Sequence, residues 1–120
     1  MDYLRTPDQT NPDPAHFRAR AMDEGLDRNQ LHPDPILQFQ RWYEETIATR
    51  LPEPNAMSLS TVDAAGQPSL RTVLLKLYDA QGFVFFTNYQ STKAHQIEAN
   101  NRVALLFPWV ALARQVTILG

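Results

Sequence analysis

The sequence predicts a mainly β fold with some α: an antiparallel barrel or curved sheet with helices packed on its ends. Three observations carry this. From Ala56 onward, five short segments are rich in β-branched and aromatic residues with apolar side chains at alternate positions. Turn-forming stretches, DAAGQ and DAQG, separate the first three of them. Two further segments, one before the strands and one among them, carry helix caps and helical apolar spacing.

Size and composition agree with a single globular domain. The chain has 120 residues, 43% hydrophobic and 20% charged, enough to bury one core and too short for two. No apolar run approaches the roughly 20 residues of a spanning helix. The opening MDYLRTPDQT has no basic segment leading into an apolar stretch, so a cytoplasmic location is the default expectation. Cysteine is absent, which excludes disulfides, thiolate metal sites and a cysteine nucleophile. His16, His32 and His95 lie far apart without ligand spacing, so no metal is expected. The net charge is -2 with no block of like charge, so nucleic acid is not an expected partner. Any anion must therefore be held by locally placed basic groups.

The elements follow in order. Residues 1–33 are rich in Asp, Pro, Asn and Arg. Their few apolar residues (Leu4, Phe17, Met22, Leu26) show no sustained period, which predicts a mobile N-terminal arm ahead of a domain over 34–120. Asp34 caps a helix with Pro35 in its first turn, and Ile36, Phe39, Trp42, Tyr43 and Ile47 fall on one face. Leu51-Pro52-Glu53-Pro54 stops that helix near Arg50. Strands are expected at Ala56 to Val62, Pro68 to Tyr78 and Gly82 to Thr87, with Gly66 free to take positive φ in the first turn. Ser91 caps a short helix to Asn100, with Ala94 and Ile97 as its apolar pair. Val103 to Phe107 and Gln115 to Leu119 read as strands four and five. Five strands fall short of the six or so that close a small barrel. An open edge is expected, either paired with a second copy or completed by further residues.

Three stretches can carry chemistry. In RTVLLK, Arg71 and Lys76 flank branched apolar residues within a strand. Positions five apart point to opposite faces and lie roughly 16 Å apart, so the two cations cannot grip one small anion together. They either mark the two ends of something long, such as a flavin nucleotide, or sit solvated on the strand. The second stretch, FTNYQSTK, runs from a strand end into a helix start, where unpaired backbone N–H groups favour phosphate and Ser91 and Lys93 add a hydroxyl and a charge. Its plainer reading is a capped helix with a surface lysine. Third, Gln115 in ARQVTILG offers an amide to the polar edge of a heteroaromatic ring. Trp42 and Trp109 can cover a ring, although Trp42 on the apolar helix face reads as core. There is no Gly-rich nucleotide loop and no GxSxG motif.

Taken together, RTVLLK, FTN, STKAHQIE, NRVALLFPW and RQV, preceded by HPDPILQFQRWYEE, resemble the pyridoxamine 5'-phosphate oxidase family from about Gly25 to Gly120. The resemblance implies a homodimeric FMN-binding split β-barrel with FMN between subunits, incomplete at its C-terminus in this chain. It implies that Arg71, Thr72, Val73, Leu74, Leu75 and Lys76 line the FMN, with Arg71 and Lys93 near its phosphate. Phe86 and Thr87 stand where the family usually has Tyr-Thr, Ser91, Thr92 and Lys93 form the helix start, and Gln115 is the flavin-contacting glutamine. Lys76 would also reach the substrate phosphate, and Arg18 matches a substrate-covering arginine. No residue of this chain is assigned a catalytic role by it.

The implied reaction is oxidation of pyridoxamine or pyridoxine 5'-phosphate to pyridoxal 5'-phosphate, with hydride passing to the flavin and O2 taken up to give H2O2. Two further positions depart from the pattern. Thr92 replaces the usual arginine of SRKA, removing one cation from the phosphate, and Ala21 stands where a tyrosine is expected. The family's later substrate-phosphate residues and its W and R-x-H segment would follow Gly120. The alternatives are an FMN-binding module without oxidase activity, a related flavin enzyme with another substrate, and a non-functional fragment with an unclosed sheet.

Overall fold

A computed structural model of the chain describes residues 14–120. These form two compact units, one running through Pro54 and including Trp109–Arg114, the other comprising Asn55–Pro108 and Gln115–Gly120.

The first unit is helical. Helix α1 spans Pro14–Glu24, a 3-10 turn covers Arg28–Gln30, α2 spans Pro35–Ala48 and a second 3-10 turn covers Val110–Leu112. Asp34 caps α2 as its sequence position predicts, its carboxylate accepting from the Ile36 N–H at 2.9 Å and the Leu37 N–H at 3.5 Å. The helix stops where the prolines begin, with Arg50 in the left-handed region at φ 62°. Phe39 is buried on the inner face, but Ile47 is exposed and Thr46 is buried in its stead. Thr46 is accommodated because its hydroxyl donates to the Trp42 carbonyl at 2.7 Å. Trp109, 2% exposed, packs with Phe39 and Tyr43 and donates its indole N–H to the Pro54 carbonyl at 3.0 Å.

Helix α1 lies inside the stretch read from sequence as an arm without periodicity. Residues 1–13 of that stretch lie outside the described residues. Over the remainder, the absence of an apolar stripe is real: Phe17 is buried, whereas Met22 and Leu26 are exposed. One anchor replaces the stripe. The Arg114 guanidinium lies between the Phe17 ring at 4.6 Å and the Trp42 ring at 4.5 Å, and it pairs with Glu45 at 2.6 Å. No sequence periodicity reports an anchor that depends on a residue about a hundred positions away.

The second unit is a curled, five-stranded antiparallel sheet with strand order β3-β2-β1-β4-β5. Its strands are β1 Ala56–Val62, β2 Pro68–Asp79, β3 Gly82–Phe85, β4 Ala104–Phe107 and β5 Val116–Leu119, and α3, Thr92–Ala99, lies between β3 and β4 in sequence. The β1–β2 hairpin turns through Asp63, whose carboxylate accepts from the Ala65 and Gln67 N–H groups at 2.9 Å, with Gly66 at φ 87°. Alternation gives each central strand a covered face. Met57, Leu59 and Thr61 of β1, Val73 and Leu75 of β2, and Leu105 and Phe107 of β4 are buried. The other face of β2 carries exposed Leu70, Thr72, Leu74 and Lys76. A register shift between Leu75 and Leu77 leaves Lys76 and Leu77 both exposed.

Helix α3 packs on β1. Strand β3 stops at Phe85, so Phe86 and Thr87 belong to the turn that follows, not to the strand as the sequence suggests. Among the described residues β3 and β5 are the two outer strands and do not pair with each other, in keeping with the expected open edge. No helix among the described residues is long and apolar enough to cross a membrane.

Candidate functional site

Arg71 sits opposite Leu59 in the β1–β2 ladder, on the same face of β2 as Val73 and Leu75. On that face its guanidinium is half-buried, and a half-buried cation needs acceptors. It donates to the Leu59 carbonyl at 3.2 Å, to the Thr61 hydroxyl at 2.7 Å and to the Gln96 side-chain carbonyl of α3 at 3.5 Å. Thr61, 0% exposed, donates its own hydrogen bond to the same Gln96 oxygen at 2.5 Å. Gln96 then donates through its Nε2 to the Ser69 hydroxyl at 3.4 Å. The cation is thereby tied to β1, β2 and α3 at once.

Lys76 is exposed, whereas Arg71 turns to the covered face, so the two cations flanking VLL address different sides of β2. Val73 and Leu75 are buried, and Thr72 and Leu74 are exposed. The α3 start is built from its own turn. Ser91 caps the helix by accepting from the Ala94 N–H at 3.2 Å, and the Thr87 hydroxyl approaches the Ser91 hydroxyl at 3.4 Å. Asn88 closes the turn by accepting from the Ser91 N–H at 3.0 Å and, through its side chain, from the Gln90 N–H at 2.9 Å. Phe86 is 72% exposed. Thr92 is exposed at the first helical position, and Lys93 lies one turn before Gln96 on the same face.

Through α3 these residues form one linked set: Arg71 reaches Gln96, which shares a helix face with Lys93, and Thr87 meets Ser91 at the helix start. Gln115 does not join it by strand order: it stands exposed just before β5, and β1 and β4 separate β5 from β2. Arg18 belongs to the helical unit, where its guanidinium donates to the Val110 carbonyl. That unit has its own cleft of about 380 Å³ beside α1 and α2, bordered by Arg20, Arg41, Trp42 and Arg114.

Thr61, Ser69 and Gln96 are the polar residues missed from sequence. Each is a common residue in a regular element, and only the register that sets Thr61 against Ser69, together with the packing of α3 on β1, makes them neighbours. Chemically, β2 carries a fixed guanidinium and α3 an ammonium and a helix N-terminus, each of them a group that can bind an oxyanion such as phosphate.

Comparison with known proteins shows the family of the chain. Residues 43–120 match the family model described as pyridoxamine 5'-phosphate oxidase. The chain is 56% identical over 108 residues to the pyridoxine/pyridoxamine 5'-phosphate oxidase of Rippkaea orientalis, covering 90% of this chain and 51% of that protein. It is 58% identical over 95 residues to the enzyme of the same name from Cupriavidus taiwanensis, covering 79% of this chain and 45% of that one. The chain thus spans about half the length of the curated relatives it matches. Among solved structures, PhzG from Burkholderia lata 383, in complex with tetrahydrophenazine-1-carboxylic acid, superposes with a TM-score of 0.75 at 25% identity, over 81% of this chain and 49% of that one. An FMN-binding protein from Nostoc punctiforme related to pyridoxamine 5'-phosphate oxidase shares the fold, with a TM-score of 0.60 at 23% identity over 76% of this chain and 47% of that one. By the family match over residues 43–120, which include the whole sheet, and the identity it shares with these relatives, the chain belongs to the pyridoxamine 5'-phosphate oxidase family.

Proposed function

We propose that the chain supplies the FMN-binding part of a homodimeric oxidase that converts pyridoxamine or pyridoxine 5'-phosphate to pyridoxal 5'-phosphate, with O2 as acceptor and H2O2 as the reduced product. One observation supports this above the others: among the described residues the Arg71 guanidinium is anchored only by neutral acceptors, so its charge stays available to an anion. The donor set fits the FMN phosphate, a dianion with several acceptor oxygens that a fixed guanidinium and a helix start can share.

In this reading Arg71 and Lys93 hold the phosphate and Ser91 and Thr92 contribute polar groups at the α3 start. Residues from Thr72 to Leu75 line the flavin, with Phe86 and Thr87 beside it. Lys76, on the other side of β2, takes the substrate phosphate, and Arg18 covers the substrate. Gln115 meets the flavin's polar edge. Its distance from β2 in the strand order is accounted for if it reaches a flavin held mainly by the second copy. When bound, FMN supplies the two-electron chemistry, while the chain's own residues bind, orient and shield from water.

The test is a flavin titration followed by turnover. Binding should quench FMN fluorescence, and pyridoxamine 5'-phosphate with O2 should then yield peroxide. A protein that leaves FMN fluorescence unchanged refutes the cofactor assignment. Binding without peroxide leaves a flavin module without this activity. A second reading, oxidation of a different ring system, draws on the fold shared with a protein that binds tetrahydrophenazine-1-carboxylic acid. Turnover of a tricyclic acid in preference to the B6 phosphate would favour it.

A further inference from the structure

We infer that Gln96 is a positioning residue: with Thr61 and Ser69 it forms a neutral cradle that orients the Arg71 guanidinium while leaving its charge uncompensated. This rests on the reading of Arg71 as a phosphate ligand and adds residues outside the RTVLLK and STK stretches. A guanidinium has five N–H donors. Three are engaged, two on Nη1 by Leu59 and Thr61 and one on Nη2 by Gln96. Among the described residues the Nε–H and the second Nη2–H have no partner, and they are a pair suited to two oxygens of one phosphate.

The chemistry of the acceptors matters as much as their positions. A carbonyl, a hydroxyl and an amide oxygen satisfy the half-buried cation without cancelling it. A carboxylate in the same place would form an ion pair and repel an incoming phosphate. Gln96 also has a fixed amide orientation, since its oxygen faces the Thr61 proton and its nitrogen faces Ser69. Rotation of the amide would set its N–H₂ against the guanidinium, cation facing donor. The buried Thr61 hydroxyl acts as a relay, accepting from Arg71 and donating to Gln96. The network thus has one polarity, running from the cation outward to Ser69.

The experiment compares FMN with riboflavin, which lacks the phosphate, by fluorescence quenching on the full chain. Arg71→Ala serves as the control for the underlying reading and should abolish the preference for FMN. Gln96→Glu, nearly isosteric, should weaken FMN about tenfold or more while changing riboflavin by less than about twofold, because only the phosphate feels the new charge. Ser69→Ala, which frees the amide but adds no charge, should weaken FMN by about two- to fivefold, again sparing riboflavin. It also provides the answer should Gln96→Glu fail to fold. Equal loss of both flavins in the Gln96 and Ser69 variants would mean a merely structural role and overturn the proposal. So would full FMN preference in those variants alongside its loss in Arg71→Ala. An unchanged preference in Arg71→Ala would instead defeat the phosphate assignment, and the cradle with it.

Discussion

Thr92 opens α3 with an exposed side chain, leaving Lys93 as the cation of that turn. Two effects compete if an arginine is placed there. A cation at a helix N-terminus opposes the dipole by about 0.3–1 kcal/mol, whereas a charge-assisted contact to a phosphate contributes about 1.5–3 kcal/mol. The second is larger, so Thr92→Arg should tighten FMN by about tenfold and slightly lower the melting temperature of the flavin-free protein. Unchanged FMN affinity would show that position 92 does not face the phosphate. Trp109 is a residue of the opposite kind, committed to packing. Its removal in Trp109→Ala empties a site beside the Phe39–Tyr43 pair and strands the Pro54 carbonyl. The expected cost is about 3–5 kcal/mol in urea unfolding. Trp109→Phe keeps most of the packing and loses the hydrogen bond, for about 1–3 kcal/mol.

Two helix caps of the same kind separate stability from binding. Asp34 caps α2 and Ser91 caps α3, each accepting backbone N–H groups of its first turn. Alanine at either should cost about 1 kcal/mol of stability. Only Ser91→Ala should also weaken FMN, because only α3 carries Lys93 and Gln96. Equal flavin affinity in the two variants would argue against an anion at the α3 start. These caps were also the most legible features of the sequence, since Asp-Pro and Ser-Thr-Lys signal a helix start through local hydrogen bonding alone. The strands were legible for a similar reason: β1 and β2 alternate because one face is covered. What escaped was non-local. Helix α1 depends on Phe17 meeting Arg114, and the Arg71 cradle depends on the β1–β2 register and on α3 returning to β1. Neither leaves a period or a spacing in the chain. The resemblance to a family supplied Arg71, Lys93 and Gln115 as site residues, but it carried no statement about Gln96 or Thr61.

At the scale of the molecule, the sheet unit leaves apolar surface uncovered on the outer side of β2 and β3. Leu70 is 70% exposed and Leu77 52% exposed, with Val84 paired beside Leu77 on β3. Scattered exposed leucines are ordinary, but several along one strand and its neighbour form a patch of the kind that proteins cover by association. The proposed homodimer gives that patch a use. Placing a lysine at both Leu70 and Leu77 would set unpaired charges inside such an interface at a cost of several kcal/mol. The double variant should sediment as a monomer at concentrations where the parent protein is a dimer. The flavin measurements then discriminate further. If FMN lies between two copies, the monomeric variant should lose FMN and riboflavin alike, because the ring as well as the phosphate loses its surroundings. That pattern differs from Gln96→Glu, in which only FMN suffers. A parent protein that sediments as a monomer, or a double variant that remains dimeric, would place the interface elsewhere and remove the explanation offered for Gln115. A monomeric variant that keeps both flavins would show that each chain holds its cofactor alone.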